Sequence, residues 1–309
     1  MRPSAQSGRA VSTGLARYGL RLGLGIALVG WLAWSGDWRT MARHLGGLSP
    51  GWFGLAGGTY LLGQSLCAWK WSLLARTLGF QRPIRFFWVT YSGGMFASLF
   101  LPTSIGGDMF RTLALARREG DSVGATVSVL ADRGLGALAM VWIAALALTL
   151  DPRIRSLSGG TTVIYALCGV LTAGFLMPFV VPPDFTRHHF VRRVMACWSR
   201  PAILVGSLGI GFVFQFLAGL VYWMLGRALG VPVGPTFYFL LSPVVSIAEL
   251  SPVTPNGVGE RTVALVALFH LIGVGSEWAV GLGLAWTAMV LLASLGAGTV
   301  WLWKPEHAV

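Results

Sequence analysis

Leu101-Pro-Thr-Ser-Ile-Gly-Gly-Asp-Met-Phe-Arg111 closes an uncharged run that begins at Phe86. A proline, two glycines, an acid and a base interrupt what otherwise reads as one apolar helix. Proline removes a backbone donor and glycine frees the backbone, so the helix breaks here. A second stretch of the same kind lies in the other half, Ser251-Pro-Val-Thr-Pro-Asn-Gly-Val-Gly-Glu-Arg261. It follows the apolar run 236–250 and also passes through glycine to an acid and an arginine. Two interrupted apolar segments in corresponding positions are the best sequence pointer to a substrate site in a transporter built from repeats.

The sequence around these breaks reads as membrane protein. Of the 309 residues, 55% are hydrophobic and only 11% charged, where a soluble domain carries roughly 25% charged. Several uncharged stretches exceed the ~18 residues that mark a membrane helix. The expected fold class is an all-α polytopic membrane protein. The net charge of +12 comes from basic residues in short loops between apolar spans. The positive-inside bias accounts for them, and anionic headgroups are a second beneficiary; a nucleic-acid partner is not indicated. Cys67, Cys168 and Cys197 have no motif spacing, so neither a disulfide framework nor a zinc site is expected. No nucleophile–base motif, metal-ligand spacing or Walker motif is present, so no cofactor and no ATP-driven pumping are expected.

Working outward gives the spans. Residues 1–17 form a basic tail, and 18–34 a first helix, retained because no small-residue cleavage site follows Trp34. Span two is 52–69, then a basic loop 70–85 with Lys70, Arg76, Arg82 and Arg85. After the first broken segment come span three (122–150), span four (160–181) and a loop 182–201 holding Arg187, Arg192, Arg193 and Arg200. Span five is 202–225, the second broken segment occupies 236–273, span six is 278–303, and 304–309 is a tail. Residues 18–303 form one membrane domain.

Whether 86–101 crosses fully is not decided by length. Sixteen helical residues reach ~24 Å against a hydrocarbon core of ~30 Å, and the run is extendable through the break. Charge decides better. A full crossing puts the four-arginine loop outside; a re-entrant hairpin puts it inside. With two hairpins, sixteen lysines and arginines fall on the inner side and five on the outer, with both termini cytoplasmic. The units 52–150 and 202–303 then become inverted copies: six full transmembrane helices plus two re-entrant hairpins.

Four acids, Asp108, Asp132, Glu249 and Glu260, fall within the apolar regions. A charge at the centre of a membrane helix costs roughly 2.5–3.5 kcal/mol on insertion scales, so each must face protein, water or a partner. The candidate substrate site is Gly106, Gly107, Asp108, Arg111, Asp132 and Arg133 from the first half, with Asn256, Gly257, Gly259, Glu260 and Arg261 from the second. Helix starts at the breaks offer free N–H groups and a partial positive charge. Glycines admit a close approach, and Arg111, Arg133 and Arg261 supply charge-assisted hydrogen bonds to a phosphate. The competing reading makes Asp108 and Glu260 helix-start acids answering the dipole, with the arginines as their structural partners.

Pro102 with Gly106-Gly107-Asp108 and Arg111, Asp132-Arg133, and Pro255-Asn256-Gly257-Val258-Gly259-Glu260 form an ordered set. Together they resemble the flippase-like membrane family, the transmembrane region of bacterial lysylphosphatidylglycerol synthases. The resemblance covers about 15–303. It implies movement of a lipid across the bacterial cytoplasmic membrane. The soluble domain that transfers lysine in the large synthases is not found before Val309, so aminoacyl transfer by this chain alone is not expected.

The reading that follows is a translocase for an anionic phospholipid or a polyprenyl- or hopanoid-linked lipid, its headgroup held at the hairpin tips. Two alternatives stand beside it. One is an integral-membrane lipid-modifying transferase using Asp108, Asp132 or Glu260 as base. The other is a non-catalytic partner of lipid or glycolipid biosynthesis enzymes.

Overall fold

The structure is a computed structural model describing residues 46–98, 106–150, 158–180, 189–249 and 257–303. Among the described residues there are ten helices and no strand: α1 (Pro50–Thr77), α2 (Ile84–Ala97), α3 (Gly106–Glu119), α4 (Ser122–Leu150), α5 (Ser158–Val180), α6 (His189–Trp198), α7 (Pro201–Leu229), α8 (Pro235–Ala248), α9 (Val258–Leu271) and α10 (Ser276–Trp303). Proline opens α1, α7 and α8, where its missing N–H costs no helical bond. Gly230 follows α7 at φ 78°, a left-handed cap.

The lengths repeat. Helices α1 to α4 have 28, 14, 14 and 29 residues, and α7 to α10 have 29, 14, 14 and 28. The contacts repeat too. Each unit joins its first long helix to its first short one, short to short, short to the last long helix, and long to long. Between units, α2 packs on α10 and α8 on α4, while α4 packs on α7 and α1 on α10. Exchanging the two units leaves this pattern unchanged.

Each pair of short helices is an antiparallel hairpin. Near one tip, the Gly107 backbone lies so close to Ser98 and Gly94 that an added Cβ would sit 2.6 Å from the serine hydroxyl and 2.8 Å from the Gly94 carbonyl. At the base, Arg82 pairs with Glu119 and donates to the Arg118 carbonyl at 3.1 Å. In the second hairpin Arg261 meets Glu249 at 2.5 Å near the tip, and Phe237 meets Phe269 at 5.4 Å toward the base.

Helices α1 and α7 run antiparallel. Ser49 N–H donates to the Ala228 carbonyl at 2.8 Å, and Trp52 packs edge-on to Trp223. The first hairpin's base packs with Leu74, Leu78 and Phe80 where α1 ends. The second's base packs with Leu229 and Val231, alongside Leu48 and Trp52 where α1 begins. The two hairpins therefore enter the bundle from opposite ends.

Helices α4, α5, α7 and α10 are long and apolar enough to cross a bilayer. Helix α1 is as long, with Lys70 and Arg76 in its last third. Expected span one (18–34) and the residues from 250 to 256, including Asn256, lie outside the described residues, as do 99–105. Two boundaries need correction. Span two does not stop at Trp69: no breaker precedes Gly79, which takes φ 96°, so the helix runs on to Thr77. The loop 182–201 contains α6, an amphipathic helix that packs on α1 and α4. Its Arg193 pairs with Asp121 and donates to the Leu78 carbonyl at 3.3 Å. The basic segments around 78–85, 117–121 and 189–200 thus share one end of the molecule.

Candidate functional site

The first hairpin carries Asp108 and Arg111 on one face of α3, three residues apart. Helix α4 presents Asp132 and Arg133, and α1 presents Lys70. These five charges form one chain. Lys70 Nζ lies 3.1 Å from Asp132 Oδ1 and donates to the Asp132 carbonyl at 2.9 Å. The other carboxylate oxygen of Asp132 accepts from Arg111 at 3.2 Å. Arg111 also donates to Asp108 at 2.5 Å. Asp108 in turn accepts two bonds from Arg133, at 2.7 and 2.8 Å.

Burial divides the chain into parts. Lys70 and Asp132 are each 4% exposed and Arg111 2%, whereas Asp108 is 15% and Arg133 56% exposed. The Arg111 guanidinium lies 4.6 Å from the Tyr91 ring centre and 5.1 Å from that of Trp71. Trp71 itself donates to Ser128 Oγ at 3.1 Å, locking α1 to α4. Buried charges persist where they are paired and hydrogen-bonded. Three cations stand against two carboxylates, and the cation at the open end is Arg133.

The second hairpin answers with a less charged version. Arg261, also buried, bonds Glu249 at 2.5 Å and donates to Thr287 Oγ1 on α10 at 3.2 Å. Its guanidinium lies 5.6 Å from the Trp286 ring, which stacks on Tyr222 at 4.0 Å. Arg111 and Arg261 therefore do the same work: each ties the second arm of its hairpin to the long helix that follows. Tyr60 on α1 packs edge-on to Trp286 at 6.2 Å, so α1, which carries Lys70, touches both clusters.

The candidate residues fall into distinct places. Asp108, Arg111, Asp132 and Arg133 come together in one network. Arg261 sits in the second network, with Glu260 and Gly259 at the start of α9 beside it. Gly257 stands at φ 66° with the Glu249 stem 3.0 Å from where its Cβ would lie. Gly107 is filled by the opposing arm of its own hairpin, and Gly106 is likewise buried at the start of α3. Lys70, Trp71, Tyr91, Glu249, Trp286 and Thr287 complete the two clusters without having been picked out as site residues. Lys70 had a signal: the apolar helix continues through Trp69 with no breaker, so the lysine stands on a helix and not in a loop.

A bundle with several apolar spans and buried ion-pair clusters between broken helices is a multi-pass membrane protein. The profile for the lysylphosphatidylglycerol synthase TM region matches residues 19–298, and the chain belongs to that family. A comparison with curated proteins gives no match.

Proposed function

We propose that this protein translocates an anionic lipid across the bacterial cytoplasmic membrane. Six spans and two re-entrant hairpins form an inverted repeat in that reading, with both termini cytoplasmic. The observation that carries it is the state of Arg133. It is more than half uncovered, it projects from the twelfth residue of a 29-residue apolar helix, and its partner Asp108 is anchored by Arg111. An arginine in such a helix faces water or a ligand, because hydrocarbon does not solvate it. A lipid phosphate offers the same bidentate geometry as Asp108, so the phosphate exchanges with the carboxylate on Arg133. The substrate is an anionic phospholipid or a polyprenyl- or hopanoid-linked phosphate, delivered by lipid or glycolipid biosynthesis enzymes.

The transferase alternative needs a carboxylate free to take a proton. Of the three bases that reading names, Asp108 and Asp132 each hold cations instead, which favours translocation.

The test is headgroup accessibility of fluorescent phosphatidylglycerol and polyprenyl phosphate in proteoliposomes, wild type against Arg133→Ala. Protein-dependent movement that is lost in the variant is expected. Equal movement by both proteins overturns the role of Arg133. Absence of movement for both lipids overturns translocation of this class.

A further inference from the structure

We infer a hydrocarbon-chain site between α4, α5 and α6, distinct from the ion-pair clusters and resting on the anionic-lipid reading above. Helices α4 and α5 meet through Ala144, Ala145, Leu148 and Ile164. Trp142 Nε1 then donates to Thr172 Oγ1 at 3.0 Å. Toward α6 a groove opens, where Trp198 Nε1 donates to the Phe175 carbonyl at 2.9 Å. The groove has a volume of about 370 Å³, and every side chain lining it is apolar, among them Leu130, Leu138, Phe175, Val194 and Trp198.

Two glycines on facing helices open it. Gly134 of α4 and Gly174 of α5 both line the groove, and a Cβ added to either meets nothing within 4 Å. Two missing side chains on facing helices leave unfilled space, whereas interiors normally close-pack. At ~10 Å diameter and 5.4 Å per turn, roughly one turn of helix would occupy such a volume. A partner helix is therefore too large, and a flexible chain of methylenes fits, each buried CH₂ contributing ~0.8 kcal/mol.

Charge names the lipid that chain belongs to. Arg133 follows the groove residue Leu130 by one helical turn and precedes the groove residue Gly134. Residues i and i+3 are surface neighbours on a helix, so Arg133 lies beside Leu130 on the exposed face of α4, its guanidinium held by Asp108. The occupant is an acyl chain of an anionic phospholipid whose phosphate sits on Arg133.

The experiment places p-benzoylphenylalanine at Leu171, a lining residue, in the full chain reconstituted with phosphatidylglycerol and phosphatidylcholine. Irradiation and intact-protein mass spectrometry read the adduct. The expected result is an added mass of one phosphatidylglycerol, lost with Gly174→Trp. It is retained with Gly169→Trp, an equally uncrowded position on the same helix outside the lining. Addition of Arg133→Ala converts the adduct to an unselective mixture of the two lipids. No lipid adduct, an adduct indifferent to Gly174→Trp, or a cross-linked second copy of the chain overturns the site. An adduct lost in Gly174→Trp, with translocation unaffected by Arg133→Ala, upholds the groove and removes the headgroup role. Translocation lost in Arg133→Ala without any groove adduct does the reverse.

Discussion

Arg133 lays two nitrogens on the two oxygens of Asp108, at 2.7 and 2.8 Å, while 56% of its side chain stays uncovered. A lipid phosphate must compete with that carboxylate. Asp108→Asn removes the competing charge, so affinity for phosphatidylglycerol over phosphatidylcholine in nanodiscs should rise. The turnover of translocation should fall, because release then lacks the returning carboxylate. Arg133→Lys keeps the charge and loses the planar fork, so selectivity should drop without vanishing. Unchanged affinity in Asp108→Asn would mean the two anions do not share Arg133.

Arg111 behaves differently. It is buried between Asp108 and Asp132 and covered by Tyr91 and Trp71. Removing one partner from a buried ion cluster costs roughly 3–5 kcal/mol. Arg111→Ala should therefore lower the melting temperature and yield in detergent, whereas Arg133→Ala should leave both near wild type, since exposed pairs contribute about 0–1 kcal/mol. Thermal unfolding of both purified variants checks this ordering.

Lys70 and Asp132 form a second buried pair, and each is the other's neighbour within one network. Contacting residues show coupling of roughly 0.5–3 kcal/mol in double-mutant cycles. Lys70→Met and Asp132→Asn should each destabilise, and the double variant should lose less than the sum. Strict additivity by chemical denaturation in detergent would remove Lys70 from the cluster.

Glycine positions separate hairpin packing from groove space. Gly107→Ala forces a Cβ against Ser98 and the Gly94 backbone, and such overpacking costs about 1–3 kcal/mol. Gly257→Ala imposes a left-handed conformation on alanine at φ 66°, at about 1–2 kcal/mol. Gly134→Ala meets nothing within 4 Å and should leave the melting temperature unmoved. Equal stability of all three would contradict the close approach of the hairpin arms.

The opposite-ended hairpins also fix accessibility. Arg192 on α6 is exposed beside the first hairpin's base, and Gly234 is exposed at the start of the second. Cysteines at these two positions, in a chain lacking Cys67, Cys168 and Cys197, should react with an impermeant maleimide from opposite sides of the membrane. Labelling from one side would break the inverted arrangement.

The sequence by itself determined the membrane class and where the two apolar segments are interrupted. Apolar runs, charge asymmetry and proline–glycine interruptions are local signals, and helix α4 spans 122–150 as its composition required. Local signals also picked out Asp108, Arg111, Asp132 and Arg133, but as one site with the second-half residues, whose Arg261 belongs to a separate cluster. Tertiary structure alone decided which arginine is open. Arg111 and Arg133 are alike as residues in an apolar region. Only the packing of α1 and α2 around that cluster covers Arg111 with Trp71 and Tyr91 and leaves Arg133 at the surface. It also decided that Lys70, a loop residue by composition, neutralises Asp132 from a helix 62 residues earlier in the chain. The groove, too, needed the fold: Gly134 and Gly174 are unremarkable apart, and only their placement on facing helices makes a space.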